Sequence, residues 1–384
     1  MRVVGNRYDL RELNGAFGDL GTLIPFVLGY ITVNRLDPAG IFTTFGVLMV
    51  AVGLWFRTPM PVQPMKAIAA AAVSQPGLVT PGAIWVGGLF TGALWLALGL
   101  TGVATRVARL AGRPVVGGLV LGLGLTLMLE GVKMMAQDPV VAVAAAVLTF
   151  ALLARPHLPA MLVLLAVGVA VGVFREPSLL AELADLTVRW RLPLPPAEVT
   201  WTEALTGVVV LALPQAALTF GNAVVATVEE NNDLFPDRPV TVRTVALGHG
   251  VMNLVGAVLG GVPVCHGAGG MAGHVRFGAR TGGAVVMLGL LLLVVGLFLA
   301  DSVGTLLQLF PLSVLGVILL VGGLELAAGM LPTVATRSDR AVTLLTAAVS
   351  MWNMGAGFLA GLILWYMHAG GRLEWRKDDE AQRA

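Results

Sequence analysis

The chain has 384 residues, 57% hydrophobic and only 12% charged, about half the charged share of a soluble domain, which excludes a soluble enzyme and describes a membrane protein. The net charge is +2, with basic residues scattered singly between apolar runs; these read as topology signals, so no nucleic-acid partner is expected. Cys265 is the only cysteine, which excludes an intrachain disulfide and a cysteine-based metal cage, and neither a metal nor a cofactor is expected.

Asp9, Arg11 and Glu12 precede the first apolar run and no cleavage site follows a short apolar core, so Met1 is expected to start the mature protein. Apolar runs between breakers then give fourteen segments, near 14–33, 38–56, 62–74, 82–104, 114–132, 139–154, 159–174, 204–227, 241–260, 264–275, 282–300, 304–325, 340–352 and 354–370. Gly accounts for 49 residues, much of it inside these runs, as expected where helices pack closely through small side chains.

The two halves resemble each other. Phe17-Gly18-Asp19 recurs as Phe220-Gly221-Asn222 at an offset of 203, Pro61-Val62 as Pro263-Val264 at 202, and Pro114, Gly118 and Gly124 match Pro311, Gly316 and Gly322 at 197 to 198. The near-constant offset is the signal. Seven segments per copy is odd, so the second copy must enter the membrane from the opposite side, an inverted repeat of the kind secondary transporters use. The expected fold class is therefore an all-α polytopic membrane protein with a seven-plus-seven inverted repeat: residues 1–174 the first copy, 175–203 a charged, Pro-containing linker, 204–370 the second copy and 371–384 a short tail. Placing both termini in the cytoplasm leaves only Arg35, Lys133, Arg175, Arg189 and Arg191 outside and Lys66 within the membrane, in keeping with the positive-inside bias of an integral inner or plasma membrane protein.

Segment three poses the chemical question. In MPVQPMKAIAAAAV, residues 60–73, two prolines, a glutamine and a lysine precede an apolar run too short to span. Pro61 and Pro64 lack N–H donors and suit a first helical turn, so a half-helix is expected to begin near them at mid-membrane depth, with Gln63 and Lys66 on one face. Its repeat mate starts after Pro263. Two such N-termini facing each other present free N–H groups and positive dipole ends, an anion site. In the second, Cys265-His266-Gly267-Ala268-Gly269-Gly270 strips side chains away so that a ligand can approach the backbone. Lys66, costly at that depth, requires a negative partner: either Asp19 permanently or the transported anion transiently. His266, His274 and Cys265 match no closed metal-ligand set. Glu229 and Glu230 read as solvated charges at a helix end, and Glu325 as an interfacial carboxylate with a gate role as the alternative.

The motifs FGDLGTLIPFVLGY, MPVQPMKAIAAAAV and VPVCHGAGGMAGHVRFGARTGG closely resemble the molybdate transporter family 1, distant relatives of the sulfate permease and solute carrier 26 group. The resemblance implies a core domain from segments 1–4 and 8–11, a gate domain from 5–7 and 12–14, and substrate between segments 3 and 10 beside 1 and 8. Gly18, Asp19, Gln63, Lys66, Asn222 and His266 are the matching positions. With about fourteen residues after its last segment, the chain is expected to lack the cytoplasmic STAS domain of many sulfate permeases, and Asn222 stands where some relatives place a coupling carboxylate, which argues against sodium there.

The leading expectation is secondary active import of a tetrahedral oxyanion, molybdate first, by a proton-coupled elevator, with sulfate or tungstate transport and an anion channel as alternatives and a membrane enzyme using His266 as a third class. The substrate-site candidates are Gly18, Asp19, Gln63, Lys66, Asn222, Cys265, His266, Gly267, Gly269 and Gly270, and the proton-coupling candidates Asp19 and His266. Expected partners are the oxyanion and membrane lipid, with a homodimer allowed.

Overall fold

Backbone groups in the apolar core of a bilayer have no water to bind, so spanning segments must satisfy themselves as helices. The computed structural model, which describes residues 5–110, 112–155, 158–195, 198–330 and 336–369, has a helix at each of the fourteen expected positions. The first half runs α1 (Leu10–Thr32), α2 (Pro38–Phe56), the two-residue strand β1 (Gln63–Pro64), α3 (Lys66–Ser74), α4 (Pro81–Thr101), α5 (Arg113–Met135), α6 (Pro139–Leu153) and α7 (Ala160–Arg175). The second runs α8 (Trp201–Leu234), α9 (Val242–Val258), β2 (Val264–Cys265), α10 (Ala268–Arg276), α11 (Gly283–Phe298), α12 (Leu312–Met330), α13 (Arg337–Trp352) and α14 (Met354–Ala369). Large apolar side chains such as Trp55, Phe174, Trp201 and Trp352 are exposed on the outer faces, as lipid contact requires. The tail at 371–384 lies outside the described residues.

Helix starts follow local chemistry. Asp37, Thr80 and Asp138 cap α2, α4 and α6 through their side-chain oxygens, each followed by a proline in the first turn, where a missing N–H costs nothing. The packing obeys a pseudo-twofold exchange of halves: α2 packs on α11 and its repeat mate α9 on α4, while α5 packs on its own mate α12. Glycines set the separation. Gly46 and Gly289 bring α2 and α11 together, and Gly131 faces Gly316 across α5 and α12. Glu12, fully buried on α1, accepts from the amides of Arg280 and Thr281 at 3.1 and 3.2 Å and pins the turn before α11. The 175–203 segment is pinned as well: the Arg189 and Arg191 amides donate to Phe298 and Leu297, and the Arg191 guanidinium bridges Asp301 and Asp37.

Three expectations need correction. Segment twelve does not begin at 304: the chain turns by 94° after Phe298 into the short helix Ala300–Gln308, and α12 starts only after Pro311, which disfavours helix in the residue before it. Segment eight extends to Leu234 and contains π-helical turns at Thr206–Ala212 and Thr219–Ala226. Segment three does not begin as helix at its prolines. Pro61 and Pro64 hold the chain extended, and Gln63 and Pro64 pair antiparallel with Cys265 and Val264. Gln63 therefore precedes the helix instead of sharing a helical face with Lys66. This strand pair is the only sheet among the described residues.

A Cβ at Gly316 would lie 2.6 Å from the Gly131 carbonyl oxygen, whereas one at Gly117 meets nothing within 4 Å. Gly316→Val is expected to destabilise the protein by about 1–3 kcal/mol, and Gly117→Ala to be neutral or to stabilise it by up to about 1 kcal/mol through helix propensity. Thermal unfolding of the purified variants separates them; equal effects would contradict the packing of α5 against α12.

Candidate functional site

The strand pair brings the first turns of α3 and α10 to the centre of the molecule. The Met65 amide donates to the Pro263 carbonyl at 2.9 Å, extending the pairing to the last residue before α3. On the second strand, the Asn253 side chain accepts from the Val264 amide at 3.0 Å and donates to its carbonyl at 2.8 Å. The paired strand residues thus find partners for their buried backbone groups, as burial demands.

The two half-helices differ at their N-termini. The Gln215 side chain, reaching over from α8, accepts from the Ala67 and Ile68 amides at 2.8 and 3.4 Å, while its own amide donates to Thr219 at 2.9 Å. The N-terminus of α3 is therefore capped. No side chain caps α10. Gly267, its N-cap, and Gly270 lie directly beneath the Gln63 amide, so closely that a Cβ at either would clash with it. An uncapped, glycine-lined N-terminus leaves its amides and its positive dipole end for an anion.

Asp19 sits at the edge of this turn. Gln63 Nε2 donates to Asp19 Oδ1 at 2.6 Å and to Thr22 Oγ1 at 3.2 Å, and Thr22 Oγ1 in turn donates to the same carboxylate. Asp19 lies in a tight 3-10 turn, Phe17–Asp19, whose Gly18 packs against the Gly273 backbone. A small cavity of about 10 Å³, room for about one water molecule, lies beside it, lined by Gly18, Asp19 and Thr22 of α1, Gly269 of α10, Leu127 of α5 and Gly322 of α12. Lys66, the first residue of α3, has its Nζ buried without a hydrogen-bond partner, and no carboxylate among the described residues lies within ion-pair distance of it. Of the two partners expected for Lys66, the permanent ion pair with Asp19 is not formed. The Tyr30 hydroxyl is also buried and unpartnered.

The candidate residues thus divide. Asp19, Gln63, Gly267 and Gly270 converge, with Gly18 and Gly269 on the cavity wall and Cys265 in register with Gln63. Gln63 spends its donor on Asp19 and leaves its carbonyl oxygen unpartnered, so it orients the carboxylate instead of donating to a ligand in this state. His266 does not join the group. It follows Cys265 along the chain, its Nδ1 donates to the Pro61 carbonyl at 2.8 Å, and its ring packs edge-on against His249 and Phe56. The His266 amide donates to His249 Nε2 at 3.1 Å, which makes that nitrogen an unprotonated acceptor and places the His249 proton on Nδ1, facing the Val245 carbonyl. Asn222 lies in the second π-helical stretch of α8, its side-chain oxygen buried and unpartnered, without a hydrogen bond to Asp19, Gln63 or Lys66. No group of three or more His, Cys, Asp or Glu among the described residues could hold a metal. Glu325 pairs with Arg276 at 3.4 Å and is part-exposed, whereas Glu230 is largely buried, contrary to the solvated helix end expected for it.

Sequence reading missed Gln215, Thr22 and Tyr30. Gln215 carried a usable signal, since a lone amide in an apolar span is rarely without a function, but its target on α3 is 148 residues away.

The sequence comparisons place the chain in a family. The family described as "Molybdate transporter of MFS superfamily" matches residues 11–127 and 207–326, the two stretches that carry both half-helices. Molybdate transporter 2 of Arabidopsis thaliana is 34% identical over 407 residues, covering 93% of this chain and 86% of that protein; Molybdate transporter 1 of the same plant is 32% identical over 415 residues, covering 95% and 90%. Among solved structures, SLC26A9 superposes with a TM-score of 0.63 at 13% identity, over 96% of this chain and 66% of that one, so this chain spans about two thirds of its length. The transmembrane domain of the cyanobacterial bicarbonate transporter BicA gives 0.60 at 16%, over 91% and 96%. These likenesses bear on the fold alone and are consistent with the seven-plus-seven inverted repeat, unlike the six-segment halves of the major facilitator architecture. The chain belongs to the molybdate transporter family and is a multi-pass membrane transporter of an oxyanion, not an enzyme.

Proposed function

We propose that the protein imports molybdate across the plasma membrane as a proton-coupled secondary transporter, with the oxyanion held at the N-terminus of α10 and Asp19 carrying the proton. The observation that supports this most is the placement of a carboxylate, oriented by Gln63, at the mouth of an uncapped half-helix beside the unpaired Lys66. Lys66 and the α10 dipole attract a dianion, and a charged Asp19 repels it. Anion binding and protonation of Asp19 are then thermodynamically linked, since each makes the other more favourable. The charged or titratable groups within electrostatic reach of Asp19 are Lys66 on α3, Cys265 in β2 and His274 on α10, and His274 is engaged with the Gly15 carbonyl. His266, turned toward His249, is the weaker proton carrier.

Energetics require the coupling. Importing a dianion against 100 mV, negative inside, costs about 4.6 kcal/mol, so accumulation on the potential alone needs more than two protons per dianion. Lys66 cannot remove that cost, because it returns with the empty carrier. The packing supports an elevator: α1–α4 with α8–α11 form one group and α5–α7 with α12–α14 the other, with the cavity beside Asp19 at their boundary. The oxyanion relatives support molybdate first; sulfate or tungstate would use the same donors. A homodimer and cytoplasmic termini complete the proposal.

Lys66→Ala is expected to weaken molybdate binding to the purified protein by about tenfold to a hundredfold, the loss of one charge-assisted contact worth about 1.5–3 kcal/mol; isothermal titration checks it, and unchanged affinity would remove Lys66 from the site. Asp19→Asn keeps the neutral shape of a protonated carboxyl. In proteoliposomes it is expected to support molybdate counterflow but to lose accumulation driven by an inward proton gradient, while His266→Ala keeps it. Gradient-driven accumulation that survives Asp19→Asn would clear Asp19 of the role.

A further inference from the structure

A second and larger cavity lies along the same seam, on the side of the molecule that bears the N-terminus. It measures about 490 Å³ and is lined by Leu10, Arg11 and Asn14 of α1 together with Arg155, Arg276 and Arg280. Its walls belong to the same two helix groups that enclose the Asp19 cavity. On α1 the two cavities are adjacent: Asn14 lines the outer one and Gly18, one turn further on, lines the inner one. The layer between them is closed. Gly15 packs against Ala279, Gly18 against Gly273, and the His274 ring donates to the Gly15 carbonyl at 2.8 Å.

Asn14 spans this layer. Its side-chain oxygen accepts from the Met161 and Leu162 amides, at 2.8 and 3.0 Å, and its amide donates to the Phe277 carbonyl. Met161 and Leu162 are in the first turn of α7, whose N-cap residue Pro159 offers no side-chain cap. One buried side chain thus caps a helix of one group from 147 residues away while holding the end of α10 in the other. Of the groups it satisfies, Phe277 lines the arginine-lined cavity, as does Ala160 next to Met161, so water from that cavity could reach the Phe277 carbonyl if Asn14 let go.

We propose that Asn14 is the latch that closes the oxyanion pathway toward the N-terminal face, separating an arginine-lined vestibule from the Asp19 cavity. The inference rests on the proposed route of the oxyanion along this seam, but its test needs no substrate and so fails or succeeds apart from the binding and coupling measurements. A single cysteine is placed in the inner cavity by Leu319→Cys in a Cys265→Ser background, and a membrane-impermeant methanethiosulfonate reagent is applied to one face at a time of oriented proteoliposomes. Asn14→Ala is expected to raise the modification rate from the N-terminal face at least tenfold and to leave the rate from the opposite face unchanged or lower. An unchanged rate from the N-terminal face, or an equal rise from both faces, overturns the proposal. Should Asn14→Ala fail to yield monodisperse protein, Asn14→Asp keeps the acceptor for α7 and loses the donor to Phe277, and a rise of at least threefold from the N-terminal face alone is expected, with the same overturning results.

Discussion

The backbone pairing of Gln63 and Pro64 with Cys265 and Val264 is the constraint on which the rest of this molecule depends. A bilayer interior tolerates no unpaired backbone, yet the proposed anion site at mid-depth requires helix ends there. The two halves resolve this by supplying each other's partners: each extended stretch satisfies the other, and each can then end in a half-helix. Neither copy could do so alone, which is a physical reason for the inverted repeat. Asn253 seals the outer edge of the second strand, and Gln215 seals the first half-helix.

That last contact breaks the symmetry, and the proposed site rests on the asymmetry. With α3 capped by an uncharged amide and α10 left open, the two dipole ends are not equivalent. The first copy contributes charge, through Lys66 and Asp19, and the second contributes bare backbone, through Gly267, Gly269 and Gly270. The repeated FGD and FGN triplets show the same division. Both lie in turns that depart from the α-helix, one 3-10 and one π, but only the first presents a carboxylate.

Much of this was legible in the chain itself. Fourteen apolar runs, the constant offset between halves and the short third and tenth segments pointed to the architecture, because span length acts locally. Asp19, Lys66 and the glycines around α10 could be picked out because charge and bare backbone are expensive or unusual at that depth. What stayed hidden depends on partners far apart in sequence. The strand pairing of Gln63, the capping of α3 by Gln215 and the turning of His266 toward His249 are each decided by contacts across halves, and strand alternation after Cys265 placed His266 away from Asp19. The break before Pro311 could have been read from the matching Pro114, which also follows a short helix, Val103–Ala108.

The central claim is that the oxyanion sits on the uncapped end of α10 between Asp19 and the α12 glycines. A cryo-EM or anomalous-scattering map of the purified protein with molybdate or the heavier tungstate tests it most directly. The account predicts one strong peak within hydrogen-bond distance of the backbone amides at the start of α10. A peak confined to the arginine-lined vestibule, or at the Gln215-capped end of α3, would contradict it.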